Sequence, residues 1–83
     1  MLDVYQRAIQ ARQLQDYEPF RAICDEIRDE AVELFLNPAS DITAIARAHE
    51  AVRAVETFIA AIQTRLDAEK VAMKKDQDRN ASD

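Results

Sequence analysis

Counting back from Leu66 in steps of four and three lands on Ile62, Ile59, Val55, Val52, Ala48 and Ile45, an unbroken apolar seam of heptad period. Only a helix gathers residues at that spacing onto one face, and an apolar face that long has to be covered. The chain contains no glycine, which removes the Gly-rich phosphate loops, left-handed turns and tight catalytic elbows that depend on it. The expectation is an all-α protein built to pack against something.

Two prolines divide the chain. Ahead of Pro19, a short polar-rich helix is expected over about 2–15, with Leu2, Tyr5 and Ile9 on one side. After it, Phe20, Cys24, Ile27, Ala31 and Leu34 recur at alternating spacings of four and three, flanked by Ile23 and Phe35, and predict a helix over 18–36. Carried backward by sevens, this second stripe would need apolar residues at Gln6, Gln10 and Gln13. Three glutamines put the two helices out of phase. Pro19 also disfavours helical geometry at Glu18 and suits a first helical turn, so a break falls just before it. The segment Asn37-Pro38-Ala39-Ser40-Asp41 makes the second break, with Ser40 or Asp41 able to cap the next helix. That last helix is expected over about 41–75, roughly 50 Å long at 1.5 Å per residue. Residues 1–75 read as a single helical domain and 76–83 as a polar flexible tail without an apolar face.

A short connection makes consecutive helices antiparallel neighbours. With Leu36 close to Asp41 across the turn, Phe20 comes level with Phe58, and Ile59, Ile62 and Leu66 overhang. Burying such side chains contributes roughly 1.5 to 3 kcal/mol each, so bare exposure is a poor solution. The expectation is that the first helix and a partner chain both contribute to their cover. The fold class is therefore a short N-terminal helix plus an antiparallel helical hairpin with a long C-terminal helix, completing a bundle by oligomerisation or partner binding. A chain of 83 residues buries only about 60% of its unfolded surface, which favours such sharing. Val32 and Leu36, beside Leu34 and Phe35, make the opposite end apolar nearly all round and mark a second contact there.

Charge narrows the partners. Eleven basic against sixteen acidic residues give a net charge of −5, which argues against nucleic acid and anionic membranes. No stretch approaches the ~20 apolar residues of a membrane span, and the first residues lack the pattern of a signal peptide, so the expected location is the cytoplasm. Residues 16–33 hold seven acidic side chains and two arginines, and Asp25, Asp29 and Glu33 stand four apart on one ridge where like charges repel. That ridge is a solvated face or a surface for a basic partner.

Chemistry finds little footing. A di-iron bundle needs inward Glu residues and Glu-x-x-His motifs, whereas the one histidine, His49, has Ala46 three residues before it. The serines Ser40 and Ser82 lie at a cap and in the tail, so no nucleophile arrangement is readable. The lone Cys24 falls on an apolar stripe and reads as a small buried hydrophobe. No enzyme activity, cofactor, metal or small-molecule substrate is expected.

The motifs Asp16-Tyr17-Glu18-Pro19-Phe20, Ile27-Arg28-Asp29-Glu30 and Asn37-Pro38-Ala39-Ser40-Asp41, with a long helix after them carrying Val52, Val55 and Ile59, resemble small helical proteins encoded in the structural-gene clusters of tailed bacteriophages. The similarity covers residues 16–66. Phe35 matches an aromatic near the end of the first long helix, while Ala48-His49-Glu50 departs from an Arg-Glu pair after the turn. The resemblance implies no enzyme. It implies a virion structural or assembly accessory component, in the host cytoplasm or associated with the virion. The overhang and the apolar end, read from the residues themselves, set the expected contacts with a protein partner or another copy at Ile59, Ile62, Leu66, Val32 and Leu36. The alternative is an acidic inhibitor or adaptor that sets the Asp25, Asp29 and Glu33 ridge on a basic surface of a host or defence protein.

Overall fold

The structure, a computed structural model, describes residues 3–81. It is all-helical, with α1 at Val4–Gln15, α2 at Glu18–Leu36 and α3 at Ile42–Ala81. The expectations placed on Leu2, Ser82 and Asp83 lie outside the described residues.

Helices α1 and α3 start where the sequence supplies a carboxylate for their orphan N–H groups, whereas α2 starts without a side-chain cap. Asp3 caps α1: its carboxylate accepts from the Gln6 backbone N–H at 2.8 Å, while the Gln6 side chain accepts from the Asp3 N–H at 3.2 Å. Of the two candidates for the third helix, Asp41 is the cap, accepting from the Ala44 N–H at 2.7 Å. Tyr17 is extended at φ −77°, ψ 108°, and Pro19 lies in the first turn of α2. The chain leaves helical geometry at Tyr17, whereas Glu18, expected to be held out of the helix by the proline ring, is already the first residue of α2.

The expected end at Lys75 is corrected. Helix α3 runs on to Ala81, because residues 76–81 contain no proline or glycine and Asp76 accepts a hydrogen bond from the Tyr5 hydroxyl. The absence of an apolar face does not unwind a helix already nucleated upstream.

Partners along α3 run in reverse order. Phe20 meets Phe58 with ring centroids 6.2 Å apart, and Phe35 meets His49 at 4.6 Å. Further on, Arg12 pairs with Glu69 and Tyr5 with Asp76. Helix α2 thus lies along the first half of α3 and α1 along the second. Eight residues separate Arg12 from Phe20 but eleven separate Phe58 from Glu69. Tyr17, the one extended residue of the break, rises about 3.3 Å rather than 1.5 Å and so takes up part of the mismatch.

The result is a rod of 67 × 22 × 21 Å with a radius of gyration of 18.5 Å, where a compact chain of this length has about 12 Å. Its core is thin. Ala8, Ala11, Cys24, Ala31, Ala48, Val55 and Ile62 are buried, and among the described residues no large side chain is completely enclosed. Four of these seven are alanines, so the helices approach closely but remove little apolar area from water.

The buried face of α1 also differs from the expected one. Ala8 and Ala11 face α3, whereas Tyr5 and Ile9 are exposed. Tyr5 and Ile9 dominate the hydrophobic pattern by size, but it is the small residues that let α1 seat beside Ala61 and Ile62.

Candidate interaction surfaces

In α3 the buried residues Ala48, Val55 and Ile62 recur every seven. The same interval leads on to Glu69 and Asp76, and these meet Arg12 and Tyr5, themselves seven apart on α1. The seam therefore changes from apolar to polar without changing register. Asp76 pushes the Tyr5 phenol above its ordinary value, first through the hydrogen bond and then through desolvation and the charge of the carboxylate.

This arrangement redistributes the expected apolar site. Ile62 is buried at the junction, lining one recess with Phe20 and Cys24 of α2 and another with Ala11 and Leu14 of α1. Leu66 is half-buried and Ile59 is 38% exposed. The overhang is thus covered in large part from within the chain, by α1. The other end is open. Leu36 is 77% exposed and Ile42 86%, flanking the turn, with Val32 and Phe35 also exposed nearby on α2. Sequence reasoning singles out Val32 and Leu36 but passes over Ile42, because it stands outside the seam beginning at Ile45.

Asp25, Asp29 and Glu33 are all exposed, and none has an ion-pair partner among the described residues. Asp25, Asp29, Val32 and Leu36 succeed one another at spacings of four, three and four, so the acidic ridge runs directly into the apolar end on one flank of α2.

The other flank carries two separate recesses in line, together a discontinuous groove, that sequence reasoning misses. The one at the turn end is lined by Ile27, Glu30, Leu34, Ala44, Arg47 and Ala51, and the one farther along by Arg7, Leu14, Phe58, Ala61 and Arg65. On α3 these are one face, since Ala44, Ala51, Phe58 and Arg65 are seven apart. Its signal is the recurrence of alanines at that interval, which carries little weight beside isoleucines.

Cys24 is a buried free thiol and His49 stacks on Phe35. Among the described residues no three His, Cys, Asp or Glu side chains cluster as metal ligands, and no helix is long and apolar enough to cross a membrane. Comparison of the chain with protein-family models, curated proteins and solved structures finds no match.

Proposed function

We propose that the chain is a non-enzymatic helical interaction protein that docks another protein through the surface where the acidic ridge meets the bare apolar end. The observation that carries this is the exposure of Leu36 and Ile42, at 77% and 86%, in line with unpaired Asp25 and Asp29. Large side chains left in water beside a one-sign ridge offer a partner an apolar anchor with a charged rim. The likeness of residues 16–66 to phage structural-cluster proteins gives the setting, a virion structural or assembly accessory component. The unpaired ridge favours a second reading, an acidic inhibitor or adaptor whose partner is held mainly by charge.

A crosslinking residue placed at Ala39, in the turn, is the test in native or infected cells. Capture of one protein, lost in Leu36→Glu/Ile42→Glu and reduced in Asp25→Lys/Asp29→Lys/Glu33→Lys, supports apolar docking; recovery in purified particles assigns it to the virion. Loss in the triple variant alone, with wild-type capture confined to low salt, supports the inhibitor reading. Equal capture by all three proteins overturns both.

A further inference from the structure

We propose that the groove on the opposite flank takes a second copy of this chain, the two rods packing antiparallel about a twofold axis near Phe58. The reading concerns a different face from the apolar end and ridge, and stands or falls separately from them.

Area is the first argument. The chain exposes 6746 Å², where a compact monomer of 9.5 kDa exposes about 5,000 Å². The excess, about 1,700 Å², lies within the range of roughly 1,000 to 2,500 Å² that each chain loses in an obligate dimer. The flank has the length to hold it, because three recesses follow one another along it, from Ala44 to Ala51, from Phe58 to Arg65, and on to Val4 and Ala68. Ala44, Ala51 and Ala61 on its floor and rim leave room for a helix to approach to about 8–10 Å. Phe58 stands in it 57% exposed, an aromatic anchor of the kind that dominates interface energetics.

Charge selects the occupant and its direction. Residues 16–59 carry ten acidic and four basic side chains, a net −6, whereas residues 3–15 and 60–81 carry seven basic and five acidic, a net +2. Two copies set parallel would stack the acidic halves on each other. Set antiparallel, each acidic half lies on a basic half. The groove repeats this locally. Arg65 lies seven residues beyond Phe58 and Ala51 seven before it, and Glu30 lines the groove beside Ala51. An axis near Phe58 therefore brings Arg65 of one copy level with Glu30 of the other, twice over, as an isologous interface requires.

The test uses the full chain. Sedimentation equilibrium is run on wild type, Arg65→Glu, Glu30→Arg and the double variant, with circular dichroism as the check on folding. A dimer is expected, weakened roughly tenfold or more by either single reversal and restored by the double one. Because Phe58 also packs on Phe20 within the chain, it is left untouched. Direction is read in a Cys24→Ser background by air oxidation: Glu30→Cys mixed with Arg65→Cys should give a disulfide-linked heterodimer, and neither should link to itself. A monomer at every accessible concentration, a dimer indifferent to the reversals, or linkage of Glu30→Cys to itself would overturn the proposal. The first of these leaves capture through the apolar end unaffected, so the two readings fail in different experiments.

Discussion

The half of the rod built by α2 and the half built by α1 rest on the same long helix but are joined to it differently. Beside α2 the contacts are ring against ring, Phe20 with Phe58 and Phe35 with His49. Beside α1 they are alanines below and polar pairs above, Arg12 with Glu69 and Tyr5 with Asp76. The first half gains from apolar and aromatic burial, which salt hardly touches. The second half closes with exposed polar pairs, each of which contributes little alone. Under increasing stress α1 should therefore loosen before α2.

Ile62 joins the halves, so it is the place to break both at once. Ile62→Asp puts a carboxylate between α1 and α2 and should cost about 4 kcal/mol, a large share of the stability expected for so small a domain. Thermal unfolding monitored by circular dichroism measures it. Ile59→Asp, at a position 38% exposed, should cost less than half as much. Equal losses at the two sites would show that Ile62 is not the common anchor.

The same contrast decides what was legible in the sequence. Both breaks, the meeting of Phe20 with Phe58 and the burial of Cys24 derive from apolar periodicity and proline chemistry, which are local and strong. The seating of α1 does not. Its buried residues are Ala8 and Ala11, whose small side chains leave a faint periodic signal, and its closing contacts are polar positions in a seam that hydrophobicity alone ends at Leu66. The helical course of residues 76–81 was hidden for the same reason: Asp76 is docked by Tyr5, not by any apolar face. The groove is equally faint because alanine counts for little in a stripe yet governs how closely helices approach.

A smaller effect sharpens the comparison. In a double-mutant cycle, Arg12→Ala and Glu69→Ala should show a coupling of about 0.5 kcal/mol and no more than ~1 kcal/mol. The side chains are 47% and 15% exposed, which screens the pair by solvent. The coupling should shrink in added salt, while the cost of Phe20→Ala should not. A coupling above about 2 kcal/mol, or one unmoved by salt, would mean that the α1 half is held electrostatically as a desolvated unit and that the two halves are closer in kind than their contacts suggest.

The smallest expected effect is also the most specific to the α1 half. In the folded chain the Tyr5 phenol is held above its ordinary value of 10.0 by the hydrogen bond to Asp76. A raised value means that the folded state keeps its proton where the unfolded state has begun to lose it. The stabilisation is then fully present below about pH 10 and disappears as pH rises through the folded value. Above that point a tyrosinate faces the Asp76 carboxylate, and the tip of α1 should separate from α3 while the Phe20 and Phe58 contact persists. Ultraviolet titration of the phenols, with Tyr5→Phe to assign the signal and hydrogen exchange to compare the two helices, checks each step. In Tyr5→Phe the alkaline loosening of α1 should vanish. Loss of protection in α2 at the same pH, or an unchanged alkaline response in Tyr5→Phe, would show that the loosening does not begin at this hydrogen bond.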